Sequence, residues 1–241
     1  MTANKNLSKQ NTHNSAASVK TTVQNIKLKA KGILIDLDGT ILDVRKAYLE
    51  AAKTAFARVG KEAFDIVVVL EIPKRLEQDL PIDDLVRGID AEKFLDAYLD
   101  AYHRATIEKA KPIHNVSGTL RKLSEKAKLA LSTKRKVPRK EVIAELEKFG
   151  LIKYFDYVVT AMDTKNSKPS PEGLMKCSEL LGIQSCECIV VGDSVVDVRA
   201  GKNAGIRTVA VLSGIYSREE LEREKPDLIL ESVNQLPDFI E

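Results

Sequence analysis

Asp36 and Asp38 stand one residue apart, with Gly39 and Thr40 directly behind them, at the end of a short apolar run. A second carboxylate pair, Asp193 and Asp197, follows another apolar run through Gly192. Between them in the chain lie Ser132 and Thr133, again at the end of an apolar run, and Lys168 in the sequence Lys-Pro-Ser-Pro. Carboxylates brought to one point repel one another unless a cation joins them, and hard oxygen donors suit Mg²⁺. The remaining ammonium and hydroxyl groups suit the oxygens of a phosphoryl group. The chemistry this set could do is therefore phosphoryl transfer, provided the fold gathers the four segments.

Short apolar runs at 32–36, 128–133, 157–160, 188–192, 207–212 and 227–230 end in polar residues, as buried parallel strands do. Helices with readable ends separate them. One runs from Pro138 to Gly150, and another from Ser170-Pro171-Glu172 to Gly182. A third opens with the capping box Ser217 to Glu220. Strands alternating with helices predict an α/β fold: a Rossmann-like, doubly wound parallel sheet covered on both faces. In such a sheet ligands bind outside the carboxyl ends of the strands, where all four segments fall. The stretch 44–116 breaks the alternation. It reads as mostly helical, with Phe94, Leu95, Tyr98, Leu99 and Tyr102 on one apolar face. The predicted organisation is a core of 29–43 and 117–241 with a small helical domain, 44–116, inserted after the first strand. Residues 1–28 are polar and carry hardly any large apolar side chain, which predicts a disordered tail.

Composition narrows the partners. Of 241 residues, 44% are hydrophobic and 30% charged, as in soluble globular chains. The longest apolar run, Ile66 to Leu70, is far below the ~20 residues a membrane span needs. No apolar signal region opens the chain. Six lysines precede the first acidic residue, Asp36, so a net charge of +3 leaves the rest of the chain at −3. A mildly acidic body without tryptophan argues against a nucleic-acid footprint. Three cysteines fit a reducing, cytoplasmic setting, and Cys186 and Cys188 read as small hydrophobes beside a strand rather than metal ligands.

The DxDGT sequence at 36–40, the hydroxyl after the second strand, Lys-Pro-x-Pro at 168–171 and GDSxxD at 192–197 occur in the order found in the haloacid dehalogenase superfamily. The chain resembles that superfamily, mostly phosphatases, from about Lys31 to Glu241. The insertion point looks like that of its helical-cap subgroup, which includes phosphoglycolate phosphatase-like enzymes. The resemblance implies that Asp36 is a nucleophile forming an aspartyl-phosphate. It implies that Asp38 is the general acid and base. Mg²⁺ would be held by Asp36, the backbone carbonyl of Asp38 and Asp193. Gly39 and Thr40 would belong to the phosphate-binding turn. Lys168 and Thr133 would hold the transferring oxygens, with Ser132 the alternative hydroxyl, and Asp197 would steady the metal shell or Lys168. The substrate implied is a small phosphorylated metabolite, phosphoglycolate-like or a sugar phosphate.

Three other readings share these motifs. A dehalogenase would need neither metal nor a second acid, and Asp38 speaks against it. A sugar phosphomutase of the family tends to have Val where Thr40 stands. A phosphate-binding module without turnover would not need the intact acid pair. Lys134 stands where relatives often have Asn, and Val44 and Arg45 where they often have Ser; both places adjoin the insertion. Within the insertion, Arg45, Lys74 and Arg75 are the candidate groups for binding an anionic leaving group.

Overall fold

The computed structural model describes residues 27–61 and 64–241. Most of the predicted tail therefore lies outside the described residues. Leu28, at its predicted end, is buried; its N–H donates to the Phe239 carbonyl (2.7 Å) and its own carbonyl accepts from Glu241 (3.1 Å).

The strands are β1 (Gly32–Ile35), β2 (Leu42–Asp43), β3 (Lys111–Pro112), β4 (Lys128–Ser132), β5 (Tyr157–Val159), β6 (Cys188–Gly192), β7 (Arg207–Val211) and β8 (Leu228–Leu230). Six of them form one parallel sheet in the order β5-β4-β1-β6-β7-β8. The α/β, Rossmann-like expectation is met. Because side chains alternate along a strand and both faces are covered, apolar residues fill both registers. Ile33, Ile35, Leu129, Leu131, Ile189 and Val191 pack into one core cluster. Leu34, Ala130 and Val190 pack into another, against Leu174, Cys177 and Leu181. β1 lies between β4 and β6, so its carboxyl end opens at the centre of the sheet.

The insertion is helical: α1 (Arg45–Arg58), α2 (Ile66–Glu77) and α3 (Ala91–Lys109). The Asp65 and Asp90 carboxylates cap α2 and α3 by accepting from the Val67 and Lys93 N–H groups. The three helices have their own core of Ala52, Phe56, Val69, Ile72, Phe94 and Tyr98. Tyr48 of α1 stacks on Tyr102 of α3 at 5.2 Å. The chain enters and leaves the insertion through β2 and β3, which pair antiparallel. This ribbon is too short to show a period-two pattern in sequence. The remaining helices are α4 (Val116–Ser124), α5 (Arg139–Lys148), α6 (Glu172–Leu181), α7 (Val195–Asn203) and α8 (Arg218–Arg223). Pro138 precedes α5, Gly182 ends α6 in the left-handed region, and Ser217 and Glu220 form the capping box of α8. Among the described residues no helix is long and apolar enough to cross a membrane.

Candidate active site

Asp36 follows β1 directly and its N–H donates to the Val191 carbonyl (2.9 Å), so its side chain emerges at the sheet's central carboxyl edge. Lys168 Nζ, almost fully buried, donates to Asp36 Oδ1 (2.7 Å), Asp197 Oδ1 (2.7 Å) and the Ser132 carbonyl (2.6 Å). One ammonium thus ties together the ends of β1, β4 and β6. Burial alone would lower the Lys168 pKa, but the charges of Asp197 and Asp36 hold it above the ordinary lysine value. Asp36 Oδ2 takes no hydrogen bond among the described residues.

Asp193 and Asp197 reach this point through a turn made of small residues. Ser194 caps α7 in a reciprocal box with Asp197, whose Oδ2 accepts from the Ser194 hydroxyl (2.6 Å). Both Asp197 oxygens are thereby engaged. A Cβ on Gly192 would lie 2.2 Å from Asp197 Cγ, so only glycine admits that carboxylate. Gly39 has φ +83, and a Cβ there would meet Asp193 Oδ2 at 2.2 Å. Thr40 is fully buried and donates its hydroxyl to Asp193 Oδ1 (2.9 Å). Its side chain orients an acid behind the cavity wall, so a place for Thr40 on the phosphate would rest on its backbone N–H.

Oxygens of Asp36, Asp193 and Asp197 lie within 4.8 Å of one another. Burial first, then the charges of Asp197 and Asp38, pushes Asp36 up to about 7 against the pull of Lys168. Burial, then Asp36 and Asp197, raises Asp193 well above the usual carboxylate range. Three buried carboxylates, only two of them paired with the one ammonium, leave uncompensated negative charge among hard oxygen donors, the setting a divalent cation fits. With Asp197 engaged, Asp36 and Asp193 carry the side-chain oxygens available to it. The Asp38 side chain is turned elsewhere, so a contribution from Asp38 rests on its backbone carbonyl.

Asp38 faces the loop after β4. Arg135 donates Nε–H to Asp38 Oδ2 (2.6 Å) and Nη2–H to Asp38 Oδ1 (2.5 Å), a bidentate fork. Its third arm donates from Nη1 to Glu145 Oε2 of α5. Thr133 lines the cavity, and its hydroxyl oxygen accepts from the Arg135 N–H (3.2 Å). Ser132 Oγ sits instead beside Gly173 of α6, where a Cβ would come within 3.2 Å of it. The cavity wall thus offers Thr133 in preference to Ser132.

A cavity of about 190 Å³ joins Asp36, Asp38, Lys168 and Asp193 to Tyr48, Glu77, Tyr98 and Tyr102 of the insertion. Glu77 Oε2 and the Tyr98 hydroxyl are enclosed without a hydrogen-bond partner. Burial, then the charges of Asp197 and Asp36, pushes Glu77 up to about 8. The three cations proposed from sequence lie elsewhere. Arg45 pairs with Asp43, Arg75 with Glu71 and Asp84, and Lys74 with Glu220 at 2.7 Å, and none lines the cavity. Lys134 does line it, and reaches across to the Glu77 carbonyl and Asp79. Arg135, Glu145, Glu77 and Tyr98 were missed in the sequence. Arg135 was within reach, since it lies two residues beyond the predicted hydroxyl at a strand end. Glu77 and Tyr98 come from helices whose placement over the sheet has no local signal.

A parallel sheet with an acidic pair after its central strand, a lysine and a hydroxyl from neighbouring strand ends, and helices closing over them defines a class of hydrolase. The family described as haloacid dehalogenase-like hydrolase matches residues 33–211. The pyrophosphatase PpaX of Bacillus velezensis is 31% identical over 211 residues, covering 86% of this chain and 95% of that protein. The pyrophosphatase PpaX of Halalkalibacterium halodurans is 29% identical over 218 residues, covering 86% and 95%. A haloacid dehalogenase-like family hydrolase from Streptococcus pneumoniae shares the fold, with a TM-score of 0.72 at 17% identity, covering 86% of this chain and 97% of that one. The chain belongs to the haloacid dehalogenase-like hydrolase family and is an enzyme, a hydrolase of the phosphatase type.

Proposed function

We propose that this enzyme is a Mg²⁺-dependent phosphatase of a small phosphorylated metabolite, acting through an aspartyl-phosphate on Asp36, with 44–116 as a cap over the core 29–43 and 117–241. The observation that carries the reading is the Asp36 carboxylate: one oxygen held by Lys168, the other free, at the floor of a cavity roofed by the insertion. Asp36 Oδ2 attacks phosphorus, the bond to the leaving oxygen breaks, and Asp38 gives that oxygen its proton. Lys168, by exchanging one of its three acceptors, and the Thr133 hydroxyl would hold the transferring oxygens. Water then attacks the aspartyl-phosphate, and Asp38, across the cavity, accepts its proton. Mg²⁺, held by Asp36, Asp193 and the Asp38 carbonyl, would offset the repulsion between a carboxylate and a phosphoryl dianion. Asp197 keeps Lys168 in register, through their 2.7 Å contact.

The cavity is smaller than the ~300–1,000 Å³ of drug-sized ligand sites, which suits a small phosphorylated metabolite. Phosphoglycolate-like esters and sugar phosphates are the candidates from sequence, and the names of the bacterial relatives add inorganic pyrophosphate. The free cysteines go with a cytoplasmic setting. Phosphate release from a panel of these compounds and p-nitrophenyl phosphate, with Mg²⁺ and then with EDTA, tests the reading. Turnover that needs Mg²⁺ and vanishes in Asp36→Asn is expected. Absence of phosphate release from every compound would overturn it, and isomerisation of a sugar phosphate without release would replace it by a mutase.

A further inference from the structure

Phosphoryl transfer occupies the core end of the cavity, and the end formed by the insertion is left to the leaving group. Five carboxyls line the cavity, those of Asp36, Asp38, Glu77, Asp193 and Asp197, against three cations, Lys134, Arg135 and Lys168. Each cation already has partners. Lys134 reaches the Glu77 carbonyl and Asp79, Arg135 is shared by Asp38 and Glu145, and Lys168 by Asp36 and Asp197. A divalent cation and the dianion of a phosphate ester cancel one another, so loading the site with both leaves the excess of negative charge in place. A leaving group meets that excess at Glu77. Its Oε2 is enclosed without a hydrogen-bond partner, and so is the Tyr98 hydroxyl on α3. The two are neighbours, since burial, then the charge of Glu77, raises the Tyr98 hydroxyl above the usual tyrosine value. An enclosed acceptor without a donor is costly, and a charged one more so. Pro73, Leu76 and Leu99 complete this end of the wall with apolar surface.

We propose that Glu77 and Tyr98 form an ammonium subsite for the leaving group, so that the substrate is the phosphate monoester of a short amino alcohol. This rests on the phosphatase reading and names its substrate class. A primary ammonium carries three donors and no acceptor. One N–H meets Glu77 Oε2 and a second meets the Tyr98 hydroxyl oxygen, which satisfies both unpartnered groups and offsets the excess charge. The methylenes between the nitrogen and the ester oxygen lie against the apolar wall. Burial, then the charges of Asp197 and Asp36, holds the Glu77 carboxyl up at about 8, and an ammonium beside it favours the ionised form. A hydroxyl in the same place makes the hydrogen bond but leaves the charge uncompensated. A carboxylate or a second phosphate brings an anion up to a carboxyl, with no unpaired cation among the described residues of the cavity wall to receive it.

The test is kcat/KM, with Mg²⁺ near neutral pH, for four esters of almost equal size: aminoethyl phosphate, hydroxyethyl phosphate, propyl phosphate and phosphoglycolate, with pyrophosphate beside them. A hydrogen bond between charged groups is worth roughly ten- to a hundredfold. Aminoethyl phosphate should therefore exceed propyl phosphate and phosphoglycolate by about tenfold or more, with hydroxyethyl phosphate between. Glu77→Gln should lower the aminoethyl to propyl ratio by about tenfold or more. Tyr98→Phe, which keeps the carboxyl and removes the second acceptor, should lower it by about threefold, and serves where Glu77→Gln does not fold. A merely structural role for these residues would lower all rates together and leave the ratio unchanged, which would overturn the proposal. So would a wild-type preference for phosphoglycolate, pyrophosphate, hydroxyethyl or propyl phosphate over aminoethyl phosphate, or turnover of p-nitrophenyl phosphate with none of the five. Absence of turnover of every compound, p-nitrophenyl phosphate included, would instead count against the phosphatase reading itself.

Discussion

Replacing Glu77 by glutamine should stabilise the metal-free protein at alkaline pH and leave it unchanged below about pH 4. Glu77 ends α2 over the carboxylate cluster, and burial, then the charges of Asp197 and Asp36, pushes it up to about 8; Tyr216 and Lys134 oppose this only weakly. In the unfolded chain the same carboxyl titrates near 4.5. The folded protein therefore binds this proton more tightly than the unfolded chain does. The associated stability is fully present below about 4.5 and is lost as pH rises to about 8. At 1.36 kcal/mol per pH unit the window corresponds to a ceiling of about 5 kcal/mol. Undocking of the insertion can hydrate the carboxyl without unfolding the core, so about 2 kcal/mol of this should be observed, or roughly 4–8 °C in Tm.

The assay is Tm of wild type and Glu77→Gln in EDTA from pH 4 to pH 9. Glutamine is close in shape and cannot ionise, so the difference between the two curves isolates Glu77 from Asp36 and Asp193. The curves should coincide at pH 4 and separate progressively, with the variant higher, up to about pH 8. Mg²⁺ at saturation should narrow the gap, since the charges of Asp36 and Asp197 are among its causes. A gap that does not change with pH, or a variant less stable at pH 9, would refute the argument.

Asp36→Asn should lose at least about a hundredfold in kcat while keeping the wild-type circular dichroism spectrum, because the amide is nearly isosteric but a poor nucleophile. Gly39→Ala places a Cβ 2.2 Å from Asp193 Oδ2 at φ +83, and should cost about 1–3 kcal/mol in urea unfolding along with most of the turnover. Lys74→Ala removes the partly buried bridge from the insertion to Glu220 of α8. It should change kcat/KM equally for charged and uncharged leaving groups; a selective loss on a charged substrate would return Lys74 to the role of an anion-binding residue.

Much of the sheet was readable because a buried parallel strand has a local signature. Each of the runs 32–36, 128–133, 157–160, 188–192, 207–212 and 227–230 coincides with a strand to within a residue or two at either end. Helix ends were readable where capping is local, as at Ser217, Gly182 and Pro138. The β2–β3 ribbon was not, since two residues paired with two others across the whole insertion leave no periodic trace. Leu28 was drawn into the predicted tail because its neighbours are polar, whereas its burial comes from the far end of the chain, beside Ile240.

The site divides along the same line. Asp36, Thr133, Lys168 and Asp193 follow strands or lie in the loops after them, and strand order alone carries them to one edge. Thr40 shows the limit of that reasoning: its position in the motif was right for the site, but its hydroxyl turns inward to Asp193. The cations illustrate it more sharply. Lys74 and Arg75 look available in sequence because Pro73 precedes them, yet a helix carries every third or fourth side chain to the same face. The cavity receives Pro73, Leu76 and Glu77 from α2, while Lys74 and Arg75 go to carboxylate partners. The insertion thus presents a carboxyl and three tyrosines to the leaving group, and the cations of the wall, Lys134, Arg135 and Lys168, all come from the core. Of these, Arg135 is committed to Asp38 and Lys168 to Asp36 and Asp197. Lys134 in turn is held by the Glu77 carbonyl and Asp79, so among the described residues the unpartnered groups of the wall are Glu77 Oε2 and the Tyr98 hydroxyl, and a leaving group would meet these first.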